Sequence, residues 1–278
     1  MQPVLFSILG FEVQTYGVSK AAAAVVAALL LGRAFRRLGL HKDDAHALVL
    51  WATVWGFAGA KIYYLLENLP NVTLHDLGGM GFTWYGGFLG GIASAAVIMW
   101  RRHLPAATVA DAAMMPLSVA YAIGRVGCWL SGDGTYGKPT SLPWGMTVTH
   151  GVVPTEVAVH PTPLYEAVAA LGIAALLWAL SRRQSPPWTV VASYLVLSGS
   201  ARFAVEFLRI NDPALFGLTQ PQLWSVASIV AGLVLGVAVV RKGRSIAESG
   251  TGKSSLKVDA TPVDSAGPRT HTDNVTTP

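Results

Sequence analysis

The sequence is poor in charge, and that scarcity sets the first limits. Only 13% of its 278 residues are Asp, Glu, Lys or Arg, against roughly 25% in soluble domains, which argues against a water-soluble globular fold. Cysteine is nearly absent. Cys128 stands alone, which rules out an internal disulfide framework and any multi-cysteine metal site. No Lys or Arg precedes Lys20, so the start of the chain lacks the basic region of a cleaved signal peptide, and the first apolar segment is expected to stay in the mature protein. The chain carries no nucleotide-binding or metal-ligand motif, so neither a cofactor nor a metal is expected.

Apolar residues fill the space left by charge: 52% are hydrophobic and the mean hydropathy is +0.47. A membrane span needs roughly 20 mostly apolar residues to cross about 30 Å of hydrocarbon. Seven segments come near that, at about Tyr16–Leu38, Ala45–Leu66, Tyr85–Trp100, Ala110–Leu130, Pro163–Leu180, Trp188–Leu208 and Pro221–Val240. The expected fold class is therefore an all-α membrane protein of about seven transmembrane helices. Residues 1–244 form its polytopic domain. Beyond Arg244 the composition turns to Ser, Thr, Gly, Lys, Asp and Pro, which cannot bury a core, so 245–278 reads as a disordered tail.

The net charge of +5 and pI near 9.4 would suit a nucleic-acid binder if the basic residues lined one groove. They do not. Arg33, Arg36, Arg37 and Lys42 follow the first span, Arg101 and Arg102 the third, Arg182 and Arg183 the fifth, and Arg241, Lys242 and Arg244 the seventh. The alternate loops carry Glu12, Glu67, His75 and Asp76 instead. All basic clusters then fall on one side, which the positive-inside rule makes the cytoplasm. The N-terminus is expected outside and the C-terminus inside. The long connection from Ser131 to Thr162, rich in Gly, Pro, Thr and His, is expected as an extracytoplasmic loop or head with a job of its own.

Ionisable residues within a span are costly, about 2.5–3.5 kcal/mol for a central Arg or Lys on insertion scales, and are functional candidates by default. Lys61, Arg125 and Arg202 lie about 14–16 residues from the inner ends of spans two, four and six, roughly 21–24 Å at 1.5 Å per residue. They are expected to share one layer in the outer half of the membrane, within reach of a phospholipid phosphate. The structural alternative is that Lys61 snorkels and the arginines pair with carboxylates. Ser198, Arg202, Glu206 and Arg209 are spaced four, four and three apart, which places them on one helical face. Two arginines around one glutamate leave positive charge for an anion, and guanidinium suits phosphate oxygens.

Span four ends in Gly124-Arg125-Val126-Gly127-Cys128, followed by Ser131-Gly132-Asp133-Gly134-Thr135-Tyr136-Gly137. Glycines beside the arginine allow close approach of backbone or ligand, although small residues also serve ordinary helix packing. Tyr85-Gly86-Gly87 opens span three and His160-Pro161-Thr162-Pro163-Leu164-Tyr165-Glu166 opens span five. His160 reads equally as a proton acceptor or as an interfacial histidine.

Taken in order, these motifs resemble the prolipoprotein diacylglyceryl transferase family. The resemblance runs from about Tyr16 to Gly232 and is carried by Tyr16-Gly17, Gly59-Ala60-Lys61, Gly86-Gly87, Ala110-Asp111, Gly124-Arg125-Val126-Gly127, the His160 to Glu166 run and Arg202-Phe203-x-x-Glu206-Phe207-x-Arg209. It implies a bacterial inner-membrane enzyme that moves diacylglyceryl from phosphatidylglycerol to the lipobox cysteine of prolipoproteins. It puts the family's two essential arginines on Arg125 and Arg202, its late-span glutamate and second arginine on Glu206 and Arg209, and its first-span tyrosine on Tyr16. Four positions depart from the family pattern. Its His-Gly-Gly reads Tyr85-Gly86-Gly87, its asparagine after Gly-Arg-x-Gly reads Cys128, its downstream glutamate reads Asp133, and a late-span tyrosine reads Ser198.

The implied catalytic set is Arg125 and Arg202 for the phosphate, with Tyr85, Asp133 or His160 to take the thiol proton. The implied lipid-binding set is Tyr16, Lys61, Gly86, Gly87, Gly124, Gly127, Cys128, Gly137, Ser198, Glu206 and Arg209. The expected partners are phosphatidylglycerol and prolipoprotein lipobox segments, with no nucleic acid. Two other readings use the same arginines: a protein that binds or transports anionic phospholipid, and an enzyme that moves a lipid group to another acceptor.

Overall fold

The computed structural model describes residues 1–8, 11–69, 72–73, 81–183 and 185–254. Within them seven helices follow the apolar segments: α1 Thr15–Arg37, α2 Lys42–Glu67, α3 Trp84–Arg101, α4 Ala106–Ser131, α5 Thr162–Ser181, α6 Thr189–Glu206 and α7 Gln220–Ser254. Five of them, α1, α2, α4, α5 and α7, are long and apolar enough to cross a membrane. The other two are 18 residues each, about 27 Å at 1.5 Å per residue, and α6 carries Arg202 and Glu206.

The chain divides into two compact units, Met1–Val239 and Val240–Pro278. Helix is described through Ser254, ten residues into the segment expected as a disordered tail. Ile246, Ala247 and Glu248 offer no break to a helix, and the first glycine after them is Gly250. Residues 255–278, like His75 and Asp76 of the loop before α3, lie outside the described residues.

In the first unit α4 packs against α1, α5 and α6, and α2 packs on α1 and α3. The buried residues are small or clustered at the helix ends: Leu31, Phe35, Ala45, Leu48 and Val109 at one end, and Ile173, Leu177 and Val190 between α5 and α6. Large apolar side chains instead face outward, Trp100 at 76% and Val168 at 71% exposure. A soluble monomer would not expose such a surface; a hydrocarbon solvent accepts it.

The α2–α3 crossing depends on missing side chains. A Cβ on Gly86 would lie 2.2 Å from the Gly59 carbonyl oxygen, and one on Gly59 would lie 2.4 Å from that of Gly86. Backbones can approach this closely only where both helices are bare.

Among the described residues, three short antiparallel hairpins, invisible to hydropathy, sit outside the helices. They pair Val4–Ile8 with Phe11–Gln14, Met146–Val148 with Thr155–Val159, and Pro213–Leu215 with Leu218–Thr219. The first is tied to the end of α4, since Gln2 N–H donates to the Leu130 carbonyl at 3.1 Å. The second belongs to the long connection after α4, which Gly132 opens with φ of 62°. The third joins α6 to α7. These connections therefore gather at the end of the helices that holds Arg125 and Arg209.

Candidate active site

Local sequence brings three helices together. On α4, Ser118, Ala122 and Arg125 recur at helical spacing, and on α5 Glu166 and Ala167 both lie one turn before Ala170. The alanines Ala122, Ala167 and Ala170 form one buried cluster, so the two helices approach closely. Ser118 Oγ crosses the contact and donates to the Ala170 carbonyl at 2.9 Å. About two turns further along α4, this places Arg125 against Glu166.

Glu166 is 3% exposed and collects three arginines. Arg125 Nε lies 2.9 Å from its Oε2, Arg202 Nη1 donates to its Oε1 at 2.7 Å, and Arg209 Nη1 lies 3.8 Å from Oε2. Tyr121 O–H donates to Oε1 at 3.3 Å. Arg202 also reaches Glu206, with Nη2 2.7 Å from Oε2. Glu206 in turn accepts from Thr219 Oγ1 at 2.9 Å and from Asn211 Nδ2. Arg209 Nη1 donates to the Thr135 carbonyl at 3.0 Å, tying the cluster to the long connection after α4.

Three guanidinium groups against two carboxylates leave a formal charge of +1. Buried ions cost several kcal/mol each unless paired, and the surplus cation of this cluster has no carboxylate of its own. Arg209 is the most loosely paired of the three, 3.8 Å from both carboxylates, whereas Arg125 is the one that keeps a terminal edge open. The hydrogen bond it makes leaves through Nε, to the Tyr121 hydroxyl at 2.9 Å. Neither of its Nη groups donates to a described residue, and its side chain is 18% exposed. A guanidinium held by Nε with its terminal edge uncommitted suits bidentate binding of phosphate oxygens.

The protein-family model described as prolipoprotein diacylglyceryl transferase matches residues 3–238. The chain belongs to that family. Among its relatives, the phosphatidylglycerol–prolipoprotein diacylglyceryl transferase of Clostridium tetani is 30% identical over 241 residues, covering 84% of this chain and 96% of the relative. The protein of the same name from Clostridioides difficile is 28% identical over 250 residues, 88% and 98% of the two chains. That of Geobacter sulfurreducens is 30% identical over 257 residues, 87% and 96%.

Of the residues expected from sequence, the structure gathers Arg125, Arg202, Glu206 and Arg209 into the one cluster. Gly137 lies beside it: its N–H donates to the His160 carbonyl at 2.8 Å, and it pairs with Arg209 as an isolated bridge. A Cβ there would lie 2.4 Å from the Leu208 carbonyl. Asp133 closes a turn, accepting from Thr135 N–H at 3.1 Å and from Thr135 Oγ1 at 2.6 Å. His160 Nδ1 lies 3.4 Å from the Tyr165 hydroxyl, which also accepts from Trp144 Nε1 at 2.8 Å.

Other expected residues have contacts elsewhere. Lys61 Nζ reaches the Gly81 carbonyl at 3.5 Å and lies over the rings of Tyr64 and Phe82, and it is not among the ion pairs of the Glu166 cluster. Tyr85 accepts from Trp224 Nε1 at 3.2 Å. Gly86 and Gly87 face Gly59 and Gly56 in the α2–α3 contact, where they serve helix packing. Gly127 faces Ser19, and Gly124 faces Lys20, both on α1. Lys20 lies over the ring of Tyr16, Cys128 is buried, and Ser198 Oγ donates back to the Tyr194 carbonyl at 2.6 Å.

Sequence reasoning gave no role to the residue at the centre. Glu166 was visible only as the end of a motif, although it is the sole charge between Pro163 and Leu180, which was signal enough. Tyr121 could have been found as the residue one helical turn before Arg125. Thr219 and Asn211 had no such signal, since only the third hairpin brings them to Glu206.

Proposed function

We propose that this chain is a phosphatidylglycerol–prolipoprotein diacylglyceryl transferase. The observation that carries the reading is the buried cluster around Glu166, with one positive charge in excess, in a chain of that family. A phosphodiester headgroup brings one negative charge, so it completes the cluster. In the proposed reaction a lipobox thiolate attacks the glyceryl carbon that bears the phosphate. The carbon–oxygen bond breaks, a thioether forms, and glycerol phosphate leaves with one more negative charge than the diester carried. Arg125 and Arg202 stabilise that growing charge in a site of low dielectric, where fixed donors act most strongly. Glu166 and Glu206 hold the arginines in place.

His160 is our choice for the proton acceptor. The Tyr165 oxygen accepts from Trp144 Nε1–H and lies 3.4 Å from His160 Nδ1; in the tautomer we propose, Nδ1 carries the hydrogen and Nε2 is left to accept the proton. Asp133 is committed to Thr135, and the described contacts of Tyr85 are aromatic partners on α2, α3 and α7. Tyr16, Lys61, Cys128, Gly137 and Ser198 stay proposed lipid-binding positions on the family resemblance, while Gly124 and Gly127 meet side chains of α1.

We further place all seven helices across a bacterial inner membrane, with the N-terminus and the hairpins outside. Support comes from the basic clusters, which sit at or just past the C-terminal ends of α1, α3 and α5 and in the C-terminal part of α7, all on one side. Residues 1–244 are then the transferase domain and 245–278 a cytoplasmic tail.

The test uses purified protein in phosphatidylglycerol vesicles with a lipobox peptide and its Cys→Ala control. Mass spectrometry should find the diacylglyceryl adduct on the cysteine peptide alone. Lipid retained without any adduct would favour a binding or transport role.

A further inference from the structure

A second cationic site lies at the opposite end of the helices. From Arg125 to Asp111 is 14 residues of α4, about 21 Å at 1.5 Å per residue. There a cavity of about 670 Å³ opens between the C-terminal ends of α1 and α5 and the start of α4 and α6. This volume falls within the usual range of about 300–1,000 Å³ for small-molecule sites.

Four arginines line it: Arg33 and Arg37, one turn apart on α1, and Arg182 and Arg183 after α5. Among the described residues none of the four is within 4.0 Å of a carboxylate or donates a side-chain hydrogen bond. Arg182 Cζ lies over the Trp178 ring, 4.2 Å from its centroid. The single carboxylate in the lining, Asp111, is occupied by the start of α6: its oxygens accept from Trp188 N–H at 2.7 Å and Val191 N–H at 2.9 Å. The lining therefore keeps a formal charge of +3. Beside the arginines the wall is apolar, with Leu30 and Ala34 one turn before Arg33 and Arg37, and Met115 across from them.

The positive-inside rule accounts for arginines at this end but not for their arrangement. Arg102, from the same side, pairs with Asp44, and Arg36 and Arg101 do not line the cavity. A basic recess with an apolar wall between helices is the form in which anionic lipid headgroups are bound. Guanidinium forks are also better suited to phosphate than ammonium groups are.

We propose that this cavity holds the phosphate headgroup of an anionic phospholipid, with Arg33, Arg37, Arg182 and Arg183 on the phosphate and the first acyl segment along Leu30, Ala34 and Met115. This lipid is separate from the one that reacts, and it braces the ends of α1, α4, α5 and α6. Its place in the inner leaflet rests on the orientation proposed above, whereas its binding does not.

The experiment uses the full chain in mild detergent, titrated with long-chain phosphatidylglycerol, phosphatidylcholine or inorganic phosphate. Retained lipid is counted by native mass spectrometry and melting temperature is followed. The wild type should retain phosphatidylglycerol and melt higher with it, and Arg125→Ala should keep one of the bound lipids. Arg33→Gln/Arg37→Gln should weaken the remaining lipid at least tenfold, and Arg182→Gln/Arg183→Gln should do the same by an independent route. Equal retention by Arg125→Ala alone and by Arg125→Ala combined with either double variant overturns the proposal. So does an equal gain from phosphatidylcholine, and an equal gain from inorganic phosphate would make the ligand a free anion instead. In vesicles with phosphatidylglycerol confined to one leaflet, the gain should follow the leaflet facing the C-terminus. A gain from the opposite leaflet overturns the orientation and leaves the lipid site standing.

Discussion

Replacing Glu166 by glutamine tests the cluster at its centre, because the change keeps the shape and removes the charge. Three arginines would then face Glu206 alone, and the formal excess would rise from +1 to +2. At 2.9 Å and an effective dielectric near 20, the lost attraction to Arg125 is about 6 kcal/mol before solvation is counted. Relief of the carboxylate's burial cost offsets part of that. Breaking one partner of a buried ion pair typically leaves a net loss of about 3–5 kcal/mol. For a domain of this size each kcal/mol lowers the melting temperature by about 2–4 °C, so a fall of roughly 6–20 °C is expected. Arg125 would also lose its anchor, and a displacement of about 1 Å at a reacting centre can cost about a hundredfold in rate. The assay is thermal unfolding in detergent together with adduct formation from phosphatidylglycerol and a lipobox peptide. A Glu166→Gln protein that melts within about 2 °C of wild type and transfers within about threefold of it would show that Glu166 does not organise the cluster.

Four further outcomes follow from the geometry. Tyr121→Phe removes the hydroxyl shared by Arg125 and Glu166 and should slow transfer about tenfold, as expected for about 1–1.5 kcal/mol of hydrogen bonding; an unchanged rate would show that Arg125 is held without it. Asp111→Ala takes the cap from α6 and should cost about 0.5–2 kcal/mol, visible as a lower melting temperature. Gly86→Ala puts a methyl group against the Gly59 carbonyl and should destabilise by about 1–3 kcal/mol; disulfide trapping of cysteine pairs across α2 and α3 would show whether the helices separate. His160→Gln should slow transfer most at pH well below the free thiol value of about 8.5 and least above it, where the peptide thiol ionises unaided. A rate defect of the same size at every pH would remove His160 as the acceptor.

Much of the architecture was legible because one physical signal, hydropathy over about 20 residues, sets helices in hydrocarbon. All seven observed helices overlap the apolar segments within a few residues at their starts. The arginines of the cluster were legible for the converse reason, as charges where charge is costly. What could not be read was the partnering. Lys61 has the same depth along its helix as Arg125, yet helix rotation puts it over Phe82 and Tyr64. Depth alone does not fix direction. Gly86 looked like a place for a ligand and is a place for Gly59, because small residues give the same signal for both uses. The three hairpins were hidden because each strand has at most five residues, too few for alternation to stand out.

Arg125, held through Nε by Tyr121 and beside Glu166, is the residue we propose to receive the phosphate on its open edge. The most direct test of that role is the rate of adduct formation by Arg125→Ala in phosphatidylglycerol vesicles, beside wild type and Arg125→Lys, with folding checked by thermal melting. Loss of one aligned donor to a developing anion costs about 10²–10³ in rate, so Arg125→Ala should fall at least that far. Arg125→Lys should recover only part of it, since an ammonium keeps the charge but not the fork. Transfer by folded Arg125→Ala at the wild-type rate would show that Arg125 does not receive the phosphate.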